Sequence, residues 1–180
     1  MKEYPSLSYL HRLLQSSSRT ELHYLLRLDL RGFFPSITEA DVIRFLQMDT
    51  APQRNWGVED RTLFAQIVCR FGRLTIGAPT SPALSNALCF ALDSQLAALS
   101  LELGVTYTRY ADDLFFSTTQ RDVLGHLQGA TAEILRALDC PAGLQLHEDK
   151  TRHSSKRGRR QVTGLVLGSD GQIHLGLEQA

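Results

Sequence analysis

Apolar positions along the chain fall into blocks with two different spacings. Leu25-Leu26-Arg27-Leu28-Asp29-Leu30 is a short, mostly apolar run of the length expected for a buried strand, and Gly32 and Pro35 punctuate its end. Residues 1–24 carry Leu7, Leu10, Leu13 and Leu14 at weakly helical spacing and then break at Ser16-Ser17-Ser18. Val105-Thr106-Tyr107-Thr108-Arg109 alternates with a period of two, and Leu114-Phe115-Phe116-Ser117 is again strand-like. Together they predict a hairpin with Tyr110-Ala111-Asp112-Asp113 at its tip. Between these strands the period lengthens to that of helices. Thr38 with Asp41 gives a capping-box signal ahead of Val42, Phe45 and Leu46, and Asp60 is placed to cap a second helix running to Cys69. Arg70 to Gly77 predicts a turn or hairpin. The longest helix is predicted to begin at Pro79 or Pro82 and to carry Leu84, Leu88, Leu92 and Leu96 on one face. Leu99 and Leu103 extend that face, and Gly104 stops it. A further helix is predicted from about Arg121 to Leu138, with Val123, Leu127, Ile134 and Leu138 inward. Pro141 and Gly143 end it, and Leu144-Gln145-Leu146 is a strand candidate. Gln161–Leu167 and Gln172–Leu175 predict a closing hairpin around Ser169-Asp170-Gly171. The order of strand, helices, hairpin, helix and strands predicts an α+β fold, one antiparallel sheet with helices packed on one face.

Composition narrows the class. The chain has 180 residues, enough for one domain with a substantial core. With 43% hydrophobic and 21% charged residues, disorder of the whole chain is excluded. The 19 basic and 19 acidic side chains cancel, so only their distribution bears on a nucleic-acid partner. That distribution is uneven: Lys150, Arg152, Lys156, Arg157, Arg159 and Arg160 form a basic stretch with no acid inside it. Cys69, Cys89 and Cys140 make no CxxC pair and no zinc spacing; Cys69 and Cys89 lie in apolar helical contexts and read as buried, reduced thiols. Met1-Lys2-Glu3-Tyr4-Pro5 does not open a signal peptide, and the run from Ala87 to Leu92 is too short to span a bilayer, so a cytoplasmic protein without a membrane partner is expected. His147 and His153 show no ligand spacing, and Trp56 has no evident aromatic partner.

The chemistry starts from the adjacent acids Asp112 and Asp113. Like charges that close raise each other's pKa unless a cation lies between them, and the natural cation for an all-oxygen site is Mg²⁺. Alone, the pair also fits an ordinary polar turn. Asp29 is the first partner that bears on the choice, although alone it equally fits an edge-strand or cap acid. A carboxylate at the end of an apolar strand is costly without a partner. If its strand lies beside the hairpin, three carboxylates converge, and such a cluster holds two divalent ions about 3.5–4 Å apart for phosphoryl transfer.

Five segments in order then resemble the motifs of reverse transcriptases, over about residues 25–167. Asp29-Leu30-Arg31-Gly32-Phe33-Phe34-Pro35-Ser36-Ile37 resembles motif A, and Gly77-Ala78-Pro79-Thr80-Ser81-Pro82-Ala83-Leu84-Ser85-Asn86 resembles motif B. Tyr107 to Asp113 resembles motif C. Gly143-Leu144-Gln145-Leu146 running into Lys150-Thr151-Arg152 resembles motif D, and Arg160-Gln161-Val162-Thr163-Gly164-Leu165-Val166 resembles the segment that follows in bacterial retron enzymes. Group II intron enzymes are the next nearest likeness.

The resemblance implies an RNA-directed DNA polymerase palm that adds dNTPs to a DNA primer on an RNA template, with two Mg²⁺ ions for which Mn²⁺ substitutes. It implies catalytic and metal-binding roles for Asp29, Asp112 and Asp113, with Leu30 in the metal shell. Phe34 matches the steric gate against a ribose 2′-hydroxyl, and Phe33, Gly77, Ala78, Pro79 and Lys150 fall with it in the nucleotide site. Lys150 matches the cation that neutralises or protonates the pyrophosphate. Ser81, Asn86, Arg109, Tyr110, Arg152, Lys156, Arg159 and Arg160 are the expected nucleic-acid contacts. Retron relatives further imply a structured non-coding RNA partner and a part in anti-phage defence.

Two departures shape the expectation. Ile76 stands where many members carry Gln before the motif B glycine. Residues 1–24 read as a lead-in, a remnant of fingers, and residues 25–180 as the palm with no thumb, so a fragment, a truncated gene or a protein whose partner supplies fingers and thumb is expected. The competing reading is a truncated, catalytically impaired palm that binds RNA or protein. A template-free nucleotidyltransferase or cyclase is disfavoured by the Ala-Pro-Thr-Ser-Pro helix start.

Overall fold

The computed structural model describes residues 24–48 and 55–155, and the backbone of three strands within residues 160–175. The 1–24 lead-in lies outside the described residues except for Tyr24, as do Lys156 and Arg159. The chain divides into two compact units. The first draws on residues 1–29, 97–129 and 147–180, and the second on 30–96 and 130–146.

The first unit is built on an antiparallel sheet. Strand β1 (Tyr24–Asp29) is the apolar run of the sequence. It is flanked by β5 (Asp113–Thr118) on one side and β6 (Arg152–Ser155) on the other, and β4 (Thr106–Tyr110) completes the order β4-β5-β1-β6. Position in the sheet explains the sequence patterns. The inner strand β5 is buried from Leu114 to Thr118 without alternation, whereas the outer strand β4 exposes Thr106 and Tyr110 and buries Tyr107. Leu26, Leu28, Leu114 and Phe116 are fully buried and form the sheet's share of the core. The helix before β4 ends as expected at Gly104, whose φ of 63° suits the left-handed stop that glycine adopts without strain. A separate three-stranded antiparallel sheet joins β7 (Arg160–Val162), β8 (Leu165–Leu167) and β9 (Ile173–Leu175), one strand more than the predicted closing hairpin.

The second unit is mainly helical. Helix α2 (Glu39–Gln47) follows the short helix α1 (Phe33–Ser36). It starts with the predicted capping box: Asp41 Oδ2 accepts from the Thr38 N–H at 2.8 Å and from Thr38 Oγ1 at 2.7 Å, and the Asp41 N–H donates to Thr38 Oγ1 at 3.2 Å. Helix α3 (Val58–Val68) begins after Gly57, with Asp60 at its third position accepting from the Gly57 N–H rather than standing as the cap itself. Trp56 packs edge-on to Phe64 at 5.5 Å, a partner the sequence did not indicate. Strands β2 (Cys69–Arg70) and β3 (Arg73–Leu74) form the predicted small hairpin.

Several expectations are corrected. The longest predicted helix is two: α4 (Ser81–Leu88) and α5 (Phe90–Glu102), bent by 55°. Cys89, with ψ of 6°, departs from helical geometry between them while Leu88, Leu92 and Leu96 stay buried, so a four-residue apolar period does not require one straight helix. The helix predicted from Arg121 is a 3-10 turn at Val123–His126 followed by α6 (Leu127–Ala137). Its buried positions are Leu124, Leu127, Thr131, Leu135 and Leu138, so Leu124 and Leu135 take the places expected of Val123 and Ile134. Leu146 makes only an isolated bridge to Leu30, not a strand. Cys89 is buried as expected, but Cys69 is half-exposed.

Asp41 is 5% exposed and also accepts from the Ala142 N–H at 3.1 Å through its other oxygen. We expect Thr38→Ala to cost about 1 kcal/mol of stability, the usual value of a helix cap. Asp41→Ala should cost more, about 2–4 kcal/mol, because it also leaves buried donors unpaired. Denaturant unfolding of the two variants checks the order.

Candidate active site

The register of two strands assembles the acids. β1 and β5 pair antiparallel so that Asp29 lies opposite Asp113. β4 and β5 close with Tyr110 opposite Asp113, which leaves Ala111 and Asp112 as a two-residue turn. Ala111 has φ of 50°, a left-handed conformation that costs a residue with a side chain about 1–2 kcal/mol. Arg109 Nη1 donates to the Ala111 carbonyl at 3.1 Å and ties the turn to its strand. The motif A acid, the motif C pair and the end of one sheet are thereby brought together within a single unit, as expected from the sequence.

Each of two acids carries its own cation. Arg27 lies two residues before Asp29 on β1, hence on the same face, and reaches diagonally to Asp113. Its Nε and Nη2 donate to Oδ1 and Oδ2 of Asp113, both at 2.9 Å, a bidentate pair. Lys150 Nζ donates to both oxygens of Asp29, at 3.2 and 3.3 Å. Asp29 is only 4% exposed, and a carboxylate so buried needs such a partner. The His147 N–H donates to the Asp29 carbonyl at 2.7 Å, and the Lys150 N–H to the His147 carbonyl at 3.0 Å, so a short turn sets the lysine at the end of β1. Asp112 has no side-chain hydrogen bond or ion pair among the described residues. Arg27 and the His147 main chain are the site components that the sequence reading missed. The period-two spacing of Arg27 and Asp29 could have identified the first.

Burial holds the Asp113 carboxyl above its ordinary value of 3.8, the Arg27 guanidinium pulls it back only in part, and Asp112 and Asp29 add to the rise. A carboxyl raised on folding contributes stability that is fully present below the unfolded value and is lost as the pH climbs through the folded one.

Among the described residues, no three His, Cys, Asp or Glu side chains gather closely enough to hold a metal ion. The three acids lie near one another, close enough for Asp112 and Asp29 to raise Asp113, but Asp113 is paired with Arg27 and Asp29 with the more exposed Lys150, which leaves Asp112 and the more loosely paired Asp29 as the donors. Two carboxylates still fit Mg²⁺, which is commonly held by one or two of them and completed by water and substrate phosphates. The buried Asp29 carboxylate, with both oxygens turned on one ammonium, is a place that already demands a positive charge.

The second unit carries the other expected residues. Phe33 is buried and Phe34 half-exposed, with ring centroids 5.2 Å apart, so Phe33 is the core residue of the pair. Gly77 has φ of 83°, a conformation that requires glycine, and Ile76 before it is 73% exposed. Ala78 is half-buried, Pro79 exposed and Asn86 half-buried. Ser81, an expected nucleic-acid contact, is 1% exposed; its hydroxyl donates to the Thr75 carbonyl at 2.8 Å, so here it ties down the loop. Leu30 is 1% exposed and has only its main chain to offer a metal. In the first unit Tyr110 is 57% exposed and Arg109 half-buried. Arg152 is exposed and donates to the Asp149 and Thr151 carbonyls, and Arg160 contributes its backbone to β7.

Residues 2–168 match the family model of the reverse transcriptases (RNA-dependent DNA polymerases). The chain belongs to the reverse transcriptase family. It is 36% identical to the retron Mx162 reverse transcriptase of Myxococcus xanthus over 82% of this chain, and 32% identical to the retron Ec83 reverse transcriptase of Escherichia coli over 87%. It spans 34% and 51% of those relatives' lengths. The fold is that of a reverse transcriptase palm. The apo telomerase of Candida tropicalis superposes with a TM-score of 0.63 at 13% identity, over 94% of this chain and 35% of that one. The telomerase of Candida albicans, solved with a TWJ fragment of telomeric RNA, does so with a TM-score of 0.62 at 12% identity, over 94% and 34%. No single helix among the described residues is long and apolar enough to cross a membrane.

For this palm, Arg27→Met should move the Asp113 titration to higher pH, since it removes what lowers it. The stability cost at neutral pH should be about 1–3 kcal/mol, because a mostly buried carboxylate loses its partner. Carboxyl-carbon NMR and denaturant unfolding check the two. A titration that stays in place would refute the assignment of Arg27.

Proposed function

We propose that this chain is the catalytic palm of a retron-type, RNA-directed DNA polymerase that joins dNTPs to a primer 3′-hydroxyl on an RNA template, and that it serves anti-phage defence. The observation that carries the reading is the register that sets Asp29 opposite Asp113 with Asp112 in the adjoining turn. Asp29 and Asp112 hold divalent metal, Mg²⁺ with Mn²⁺ as substitute, while Asp113 balances Arg27 and fixes the turn. When bound, two such ions stabilise the attacking and leaving oxygens of an in-line displacement. The chain's own residues do the rest. The β1–β5 rungs fix the relative height of Asp29 and Asp112, and the Ala111 turn aims Asp112. Phe34, the less buried of the two phenylalanines, stands as the gate that excludes a 2′-hydroxyl. Gly77, Ala78 and Pro79 offer their backbone to the nucleotide, and Tyr110 and Arg152 offer exposed side chains to the nucleic acid. The chain spans a third to a half of its retron relatives' lengths. Productive extension therefore draws on a grip beyond these 180 residues, whether from one polypeptide, a structured RNA or a partner protein.

A second reading is favoured by the two ion pairs, which neutralise Asp29 and Asp113 without any metal. On that reading the palm is catalytically impaired and binds RNA or protein, and its binding is indifferent to Asp29→Ala.

Primer extension on an RNA template separates the two. Asp112→Asn should lower extension by about a thousandfold, the equivalent of the several kcal/mol that a metal contributes. If the folded native chain extends no primer even with fingers and thumb supplied in trans, the activity claim fails. Phe34→Ala should raise ribonucleotide incorporation relative to deoxynucleotide, measured with competing triphosphates. An unchanged ratio would remove Phe34 from the gate.

A further inference from the structure

We propose that Lys150 is an exchangeable internal cation: it occupies the positive position at Asp29 when no metal is bound and leaves when a divalent ion takes that position. The inference rests on the reading that Asp29 holds metal. The two cations of the site differ in a way that assigns them different tasks. Arg27 grips Asp113 with two parallel hydrogen bonds, and that carboxylate is 13% exposed. Lys150 makes longer contacts, 3.2 and 3.3 Å, from a side chain that is 55% exposed, onto a carboxylate that is 5% exposed. The acid cannot remain buried and unpaired, but the ammonium can return to water at little cost.

Charge gives the exchange its direction. The three carboxylates Asp29, Asp112 and Asp113 with Arg27 and Lys150 leave one net negative charge. Replacing the ammonium with a divalent ion brings the cluster to neutrality, whereas adding the ion beside Lys150 would leave it positive and set two cations against each other. The main chain limits how far the lysine travels. The His147 N–H stays on the Asp29 carbonyl and the Lys150 N–H on the His147 carbonyl, so only the side chain needs to swing. Freed, Lys150 remains one short turn from the acids, where it becomes available to an anionic ligand arriving with the metal.

The test is metal affinity, read on the full chain by Mn²⁺ electron paramagnetic resonance and by the Mg²⁺-induced rise in melting temperature. Lys150→Met should lower the melting temperature of the metal-free chain and tighten Mn²⁺ binding about two- to fivefold, the affinity equivalent of a partly exposed ion pair. Mg²⁺ should then raise its melting temperature by more than it raises that of the native chain. Arg121→Gln removes one positive charge from an exposed site of the same unit and should move the affinity far less. Unchanged or weaker binding in Lys150→Met, or an equal gain in Arg121→Gln, overturns the exchange while leaving the metal reading intact. Native chain that binds no Mn²⁺, or binds it equally well as Asp29→Asn, overturns both.

Discussion

The pairing of Asp29 with Asp113 across two strands is the constraint to which the rest of the site answers. Like charges set directly opposite each other on a sheet repel, and here one of the two is almost fully buried. The sheet resolves the conflict through its strand order. With β1 between β5 and β6, Asp29 meets one acid on one side and the turn carrying Lys150 on the other. Arg27, on β1 itself, reaches across to Asp113. A hairpin of β4 and β5 alone would lack Arg27 and Lys150, the cations that pair with Asp113 and Asp29. The neighbour contributed from 121 residues further along the chain is what makes the buried acid tolerable.

That long separation also explains what the sequence could and could not disclose. Strand β1, the acid hairpin of β4 and β5, the Thr38–Asp41 capping box and the stop at Gly104 are local features, written in spacings of two to four residues, and were legible; β6 was not, because Arg152–Ser155 carries the polar composition of a link. The convergence of Asp29 on the hairpin was legible too, because a polar residue at the end of an apolar strand demands a partner. Lys150 stood at the head of a basic run, where any lysine looks like a solvated one. The resemblance to motif D gave it a role toward pyrophosphate, but its pairing with Asp29 appears only in the turn that follows His147. Arg27 was hidden differently. It interrupts an apolar run, and its value appears only when Phe115 and Asp113 are known to lie opposite Arg27 and Asp29. The bend at Cys89 escaped because a four-residue apolar spacing survives on both sides of it. Leu127 and Leu138 were read correctly as inward, but Leu124 is buried in place of Val123, where the turn before α6 is a 3-10 helix with a shorter repeat, and Leu135 in place of Ile134.

The likeness to telomerases at 12–13% identity shows how little of the framework depends on particular side chains. A four-stranded sheet with two buried inner strands needs apolar residues of suitable volume, and many sequences meet that need. The acids and their register are a narrower requirement. A slip of one residue in β1 against β5 would turn Asp29 to the other face and break the pairing with Arg27 and Lys150 together. The continuous burial of Leu114 to Thr118 makes such a slip costly, so the core of the sheet is also what holds the chemistry in register.

The choice of one arginine and one lysine follows from the same physics. A guanidinium is a rigid fork that matches a carboxylate at two points and stays charged, so Arg27 suits a pair that is never meant to open. It fixes Asp113, and with it the end of the turn that bears Asp112. An ammonium is a compact charge on a flexible stem, with donors that accept any direction of approach. At 3.2 and 3.3 Å from the two Asp29 oxygens it neutralises the acid without locking it. Exchanging the two residues would put the rigid fork on Asp29, the acid proposed to receive a metal, and the flexible stem on Asp113, at the end of the turn. The arrangement found here distinguishes Asp113 from Asp29 by the kind of cation each is given.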